Sequence, residues 1–201
     1  MTHSLTRTRA RMGALIFVLT GLLFVGPQAQ AAERFREFTI PTANGYSDAI
    51  TSGPDGNLWF TENVANRVGM ITPTGVITDF SIPTPNCSPG QITSGPDGNL
   101  WFSEENGNKI GRITTAGVIT GEFVISTAGS SPVGIVTGAD GNLWFTESRG
   151  HRIARISSTG AITESGAKQS VEPFGIAAGP AGTMWFTDPE LGGAIGEFRI
   201  P

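Results

Sequence analysis

Ser52-Gly-Pro-Asp-Gly-Asn-Leu-Trp-Phe-Thr-Glu62 is written again as Ser94-Gly-Pro-Asp-Gly-Asn-Leu-Trp-Phe-Ser-Glu104. It returns as Gly138-Ala-Asp-Gly-Asn-Leu-Trp-Phe-Thr-Glu147 and, more weakly, as Gly179-Pro-Ala-Gly-Thr-Met-Trp-Phe-Thr-Asp188. The four tryptophans, Trp59, Trp101, Trp144 and Trp185, are spaced 42, 43 and 41 residues apart. A period near 40 with several short strands per unit is that of a β-propeller.

Each unit reads as four strands. The first ends in the Gly-Pro turn: Asp48–Gly53, Gly90–Gly95, Val133–Gly138 and Phe174–Gly179. Asp55-Gly56, Asp97-Gly98 and Asp140-Gly141 then make tight hairpin turns; Ala181 replaces the Asp in the fourth unit. The second strand carries the Trp-Phe pair. Its side chains alternate, so Leu58 and Phe60 face one way and Trp59 and Thr61 the other. Large apolar groups on both faces need cover on both sides, which neighbouring blades provide. Each buried Trp removes roughly 150–250 Å² from water, so the tryptophans read as core rather than as a stacking platform.

The third strands are Arg67–Thr72, Lys109–Thr114 and Arg152–Ser157, and the fourth are Val76–Ile82, Val118–Ile125 and Ala161–Glu164. Glu62/Arg67, Glu104/Lys109 and Glu147/Arg152 are each five apart across a hairpin, which predicts surface ion pairs worth at most about 1 kcal/mol. The fourth unit has only three strands, ending with Ala194–Ile200. Residues 35–41, which resemble Asp79–Pro83, can supply its missing outer strand and join the two ends of the fold. The expected architecture is all-β: a β-propeller of four four-stranded blades over 33–201, with repeats at 48–82, 90–125, 133–164 and 174–200.

Residues 1–32 read as a secretory signal peptide. Arg7, Arg9 and Arg11 precede an apolar run from about Met12 to Val25, and Ala29-Gln30-Ala31 is a small-residue cleavage site. The run is shorter than the roughly 20 residues of a spanning helix. The expected location is therefore secreted or periplasmic, with no membrane association after cleavage. The remaining 169 or so residues carry ten basic and seventeen acidic groups, a net charge of −7, which argues against a nucleic-acid surface. Cys87 is the only cysteine, so no intrachain disulfide forms. It reads as an incidental thiol in a Pro-rich loop.

The pattern Pro-x-Gly-Ile-x-x-Gly-Pro-Asp-Gly-Asn-Leu-Trp-Phe-Thr-Glu…Lys-Ile-Gly-Arg-Ile resembles the virginiamycin B lyase, or streptogramin lyase, family. The match covers essentially all of the chain after the leader. The resemblance implies a propeller normally of seven blades, so this chain is expected to be a fragment, a shortened paralogue or half of an eight-bladed homodimer. It also implies a lyase that opens a cyclic depsipeptide ester by β-elimination: a base takes a proton α to a carbonyl while Mg²⁺ steadies the enolate. The family's working segment looks like Glu-Pro-His-Gly-Ile, followed by an acid closing the next Trp-Phe strand.

Here the matching segment is Glu172-Pro173-Phe174-Gly175-Ile176, with Asp188 closing the strand. Glu172 and Asp188 match the metal carboxylates. Phe174 stands at the position of the base. Val133 stands at that of a second, substrate-binding His one blade earlier, and the other two blades hold Asp48 and Gly90 there. Asp48 and Phe174 are candidate contacts for a small-molecule or peptide ligand at the mouth. Asp48 could act as a base only with the raised pKa that burial gives. His151, the one histidine after the leader, is expected to be a solvated loop residue lying away from the mouth. The expectation is a ligand- or partner-binding propeller; the alternatives are a lyase working through Glu172, Asp188 and perhaps a carboxylate base, or a fragment of such an enzyme.

Overall fold

The computed structural model describes residues 35–166, 168–190 and 193–200. The chain divides into a unit ending at Glu37, of which residues 35–37 are described and carry no regular structure, and a compact unit Phe38–Pro201. The leader read at residues 1–32 lies outside the described residues. Among the described residues, no helix is long and apolar enough to cross a membrane.

The compact unit is all-β and comprises four antiparallel sheets. Blade 1 is β1 (Ser47–Ser52), β2 (Leu58–Glu62), β3 (Arg67–Ile71) and β4 (Ile77–Ser81). Blade 2 is β5 (Pro89–Ser94), β6 (Leu100–Glu104), β7 (Lys109–Ile113) and β8 (Ile119–Val124). Blade 3 is β9 (Pro132–Thr137), β10 (Leu143–Glu147), β11 (Arg152–Ile156) and β12 (Ile162–Glu164). Blade 4 has three strands among the described residues: β13 (Ile176–Ala178), β14 (Thr183–Asp188) and β15 (Ala194–Arg199). Each sheet pairs its strands in chain order. The first strands β1, β5, β9 and β13 lie side by side in that order.

The tight turns do more than reverse the chain. Asp97 Oδ1 accepts from the Asn99 N–H at 3.2 Å and from the Trp101 indole N–H at 3.0 Å. Asp55 and Asp140 treat Trp59 and Trp144 in the same way. Partial burial opposes ionisation of these aspartates, but the bonds from their Asn and Trp partners outweigh it and hold their pKa values below the ordinary 3.8. Ala181 has no such acceptor, so Trp185 donates to Thr183 Oγ1 instead, at 3.0 Å.

Three cores follow from the repeat, each shared between two blades. Trp59 and Val68 of blade 1 pack with Ile92, Leu100, Phe102 and Ile113 of blade 2. Trp101 and Ile110 of blade 2 meet Ile135, Leu143, Phe145 and Ile156 of blade 3. Trp144 and Ile153 of blade 3 meet Met184 of blade 4. These tryptophans are core, as the pattern predicts. Trp185 departs from it and is partly exposed, because no further blade covers its face among the described residues.

Within a blade, Phe102 faces Gly111 across the β6–β7 pair. A Cβ on Gly111 would overlap the Phe102 ring. Gly111→Ala is therefore expected to destabilise the fold by about 1–3 kcal/mol through overpacking. The check is urea unfolding, which should show a lower midpoint with an unchanged m-value.

The closing-strand expectation for residues 35–41 is not met. They form no strand, and β15 is the edge of its sheet. Phe38 lies over Gly75, as Phe80 lies over Gly117 and Phe123 over Gly160. Thr42 Oγ1 donates to Asp79 at 2.7 Å, in the place where the Thr84 and Thr127 amides donate to Glu122 and Glu164, each at 3.0 Å. Residues 38–42 thus occupy the front of blade 1, where the end of a preceding blade would lie. The local side-chain contacts hold them there without strand pairing.

Candidate functional site

The loops leading into the first strands and the loops joining strands two and three share one end of the molecule. Asn63 N–H donates to the Tyr46 carbonyl at 3.0 Å, Asn106 to Cys87 at 2.9 Å and Ser148 to Ser131 at 3.1 Å. This end is the mouth. A hydroxyl on each second strand sets its spacing. Thr146 Oγ1 accepts from Gly134 N–H of its own blade at 2.8 Å and donates to the Phe174 carbonyl of the next blade at 2.7 Å. Thr61 bonds the Gly90 carbonyl at 2.8 Å, and Ser103 bonds that of Val133 at 2.7 Å. The positions singled out by counting from each Trp thereby stand in a row: Asp48, Gly90 and Val133 on the first strands of blades 1 to 3, and Phe174 two residues before β13. Small β-branched or hydroxyl residues before each closing acid are the sequence signal for this staple, which the repeat reading passed over.

Asp48 is exposed, and one of its carboxylate oxygens lies 4.0 Å from where a Cβ of Gly90 would sit. It lacks the burial expected of a carboxylate base. Phe174 is exposed at the other end of the row, its N–H bonded to the Thr187 carbonyl at 2.8 Å. That bond and the Thr187 N–H to Gly175 carbonyl bond, at 2.9 Å, bring the Glu172–Phe174 segment beside the Thr187–Asp188 end of β14. Glu172 is half-buried. Asp188 is buried, and its Oδ1 accepts from the Glu190 N–H at 3.2 Å. Carboxylates are the ligand type that Mg²⁺ takes, commonly one or two of them with water or substrate completing its shell. Among the described residues, no cluster of three or more His, Cys, Asp or Glu side chains is placed to hold a metal.

His151 corrects one expectation. The strand two–three loop does not lie away from the mouth. His151 Nδ1 is 2.8 Å from the Val171 carbonyl, and its own carbonyl accepts from Lys168 N–H at 2.9 Å. His151, Pro173 and Asp188 line one cleft of about 460 Å³. The residue is half-buried rather than solvated. Asn66 and Asn108 show why it is there. All three have positive φ, between 53° and 60°. Asn108 donates to the Ile125 and Thr127 carbonyls at 3.1 and 3.0 Å and accepts from Ser130 N–H at 2.7 Å. His151 takes the same clamp position, tying blade 3 to the lead-in of blade 4.

The closing glutamates also differ from expectation. The register sets Glu62, Glu104 and Glu147 opposite Arg67, Lys109 and Arg152, but all three carboxyls are buried rather than at the surface. None of their oxygens has a hydrogen-bond partner. The bases turn elsewhere: Arg152 pairs with Glu164 at 3.3 Å, and Lys109 donates to Thr84. The lead-in loop caps each acid, with Gly45 against Glu62 and Cys87 and Ser130 beside Glu104 and Glu147. Burial, and next the neighbouring acid (Asp79, Glu122 or Glu164), pushes each carboxyl up to about 7. Cys87 belongs to the core, not to an open loop. Burial, with Glu104 and Glu122 nearby, pushes its thiol up to about 12 and leaves it unreactive.

The chain matches the model of the virginiamycin B lyase family over residues 7–200. The selenomethionine-substituted virginiamycin B lyase of Staphylococcus aureus is 40% identical, with a TM-score of 0.74 over 82% of this chain and 59% of the enzyme. A streptogramin B lyase is 34% identical, with a TM-score of 0.74 over 84% of this chain and 59% of its own. A catalytically inactive His-to-Ala form of the Staphylococcus aureus enzyme, solved with quinupristin, matches at 40% identity and a TM-score of 0.74 over 82% of this chain and 59% of its own. This chain thus spans about three fifths of the length of the solved lyases it matches. With the repeat, the blade architecture and the family match all in agreement, the chain belongs to the virginiamycin B lyase family.

Proposed function

We propose that this chain is an exported propeller that binds a small-molecule or peptide ligand across its mouth without opening it. The observation that carries this reading is Phe174. It stands exposed where the resemblance puts the base, and a phenyl ring cannot accept a proton. Val133, Gly90 and Asp48 fill the equivalent places on the other blades. The inactive Staphylococcus aureus form with quinupristin differs from its parent by loss of a single His, so binding without turnover is an outcome this architecture permits. Glu172 and Asp188 would hold Mg²⁺, which supplies positive charge against an anionic ligand group.

The second reading, a lyase of streptogramin B type, is favoured by the survival of that acidic pair. It requires a base that the row of mouth residues does not provide. One experiment separates the two. Quinupristin is titrated into the protein with Mg²⁺ by calorimetry, and the mixture is then analysed by mass. The expected result is saturable binding with the ligand intact, weakened about tenfold or more by Glu172→Ala. A ring-opened product that disappears in Glu172→Ala would establish the lyase. Absence of any binding would overturn the proposal at this ligand class.

A further inference from the structure

The passage from one blade to the next runs through the same two residues each time. Between blades 1 and 2 they are Asn66 and Ile82; between blades 2 and 3 they are Asn108 and Ile125. The Ile N–H donates to the Asn carbonyl, at 3.2 and 3.1 Å. The Ile side chains are 4% and 1% exposed and belong to the cores shared with the next blade. The Asn side chain accepts from the next lead-in loop, from the Cys87 and Ser130 N–H groups, each at 2.7 Å. Both passages are thereby apolar and closed.

Between blades 3 and 4 both residues change. Lys168 N–H donates to the His151 carbonyl at 2.9 Å, so Lys168 holds the place of Ile82 and Ile125, and His151 that of the asparagines. An unpaired ammonium is too costly to bury in an apolar core. Lys168 is accordingly exposed, and the passage opens as the cleft of about 460 Å³, with His151, Ser165 and Lys168 supplying donors and Ile153, Pro173 and Phe186 an apolar wall. The other charged groups of the cleft are committed. Arg152 pairs with Glu164 and Glu197 with Arg199, each at 3.3 Å. Asp188 is 2% exposed and accepts from the Glu190 N–H, so it presents little surface to the cleft. Among the described residues, the Lys168 ammonium has neither an ion pair nor a hydrogen bond. His151 Nδ1 faces the Val171 carbonyl, which can only accept, so Nδ1 carries a proton and Nε2 is the nitrogen left for a ligand.

We propose that the cleft between blades 3 and 4 binds a small phosphate monoester, its phosphate held by Lys168, His151 and Ser165 and its organic part against Ile153, Pro173 and Phe186. The ammonium, the imidazole and the hydroxyl offer more donors than the two oxygens of a carboxylate use, and they suit the three terminal oxygens of a phosphate. The cleft has the volume of a small-molecule pocket. This site stands apart from ligand binding along the row that ends at Phe174. Neither Mg²⁺ nor quinupristin enters its test, so the two readings fail separately.

The test is NMR of the His151 imidazole, its signals assigned by their loss in His151→Asn. The purified chain is titrated with glycerol phosphate, and separately with glycerate as the matching carboxylate, at about pH 7, where a phosphate is mostly doubly charged. Ionic strength is held constant and Mg²⁺ is left out. Glycerol phosphate should shift the signals saturably toward those of the charged ring, because a bound anion favours that form, and glycerate should bind about tenfold more weakly. Lys168→Gln, which removes only the charge of an exposed side chain, should raise the dissociation constant about tenfold or more. Lys168→Ile restores the residue of the other two passages. It should lose binding to the same extent and unfold at a higher urea concentration than the parent, a gain that a merely structural lysine would not give. The proposal is overturned by the absence of a saturable shift, by glycerate binding as tightly as glycerol phosphate, by an unchanged dissociation constant in Lys168→Gln, or by a lower urea midpoint in Lys168→Ile.

Discussion

Trp101→Ala is expected to lower the stability of the propeller by about 3–5 kcal/mol, while Trp185→Ala costs about 1 kcal/mol or less. The two residues hold equivalent places in the repeat and differ in surroundings. Trp101 is fully buried between blades 2 and 3, packed in one cluster with Ile135, Leu143 and Phe145. Its ring stacks on Phe123 at 5.4 Å between centroids with 20° between planes, and the Arg112 guanidinium lies 5.3 Å from its centroid. Its N–H is held by Asp97, which Arg112 also approaches at 3.7 Å. Truncation would lose the transfer free energy of the indole, open a cavity that the two sheets cannot collapse into, and leave Asp97 without one of its donors. A domain of this size is stable by only about 5–15 kcal/mol, so thermal melts should fall by about 10 °C. Equal losses for Trp101 and Trp185 would refute the assignment of the blade interfaces as the source of stability.

That comparison also shows what the sequence makes legible. The Trp period marks the blades, and alternation along Leu-Trp-Phe-Thr marks the faces, because both are local consequences of strand geometry. Counting from each Trp picks out Asp48, Gly90, Val133 and Phe174, which the structure sets at equivalent positions of successive blades. Three things escape such counting, for one physical reason. The fate of Glu62, Glu104 and Glu147, the clamp position of His151 and the course of residues 38–42 depend on where the lead-in loops run, of the same blade for the glutamates and of the next blade for His151. A Glu opposite an Arg across a hairpin forms a surface pair only if solvent reaches both. Here Gly45, Cys87 and Ser130 close over the acids, and the long basic side chains turn to other partners. His151 reads as a stray residue until Asn66 and Asn108 are seen at the same positive φ making the same bonds. The Glu-x-x-x-Asn/His spacing before the third strand is the signal that could have exposed both.

The spacing of the first strands at this end of the molecule does not depend on the side chains they carry there. Thr61, Ser103 and Thr146 fix the spacing of the row whatever side chain each position carries, since they bond backbone carbonyls. A change of side chain at these positions is thus expected to disturb the fold little.

The three buried glutamates give the protein a pH dependence opposite in sign to that of most acidic proteins. Each has an ordinary pKa of 4.5 and a folded value of about 7. Between those values the folded state binds more protons than the unfolded chain, so stability falls as pH rises across that window and levels off above it. The groups facing each acid act against one another. Asp79 disfavours ionisation of Glu62 while Arg67 favours it; Glu122 opposes Lys109 at Glu104, and Glu164 opposes Arg152 at Glu147. Burial, the largest influence at each, decides the direction. With a pH unit worth about 1.4 kcal/mol and a discount for solvent screening, each glutamate contributes on the order of 1–2 kcal/mol. Asp55, Asp97, Asp140 and Glu164 have lowered values and act the other way, stabilising above their ordinary pKa and losing that contribution in stronger acid. Maximum thermal stability is therefore expected near pH 4.5–5, with a steady decline to about pH 7.5. Glu104→Gln removes one of the three titrations. Urea unfolding of that variant should show the decline reduced by about a third, with the gain appearing at pH 8 rather than at pH 4.5. A parent whose stability rises from pH 5 to 7.5, or a Glu104→Gln variant with the parent's slope, would show that these carboxyls ionise freely in the folded protein.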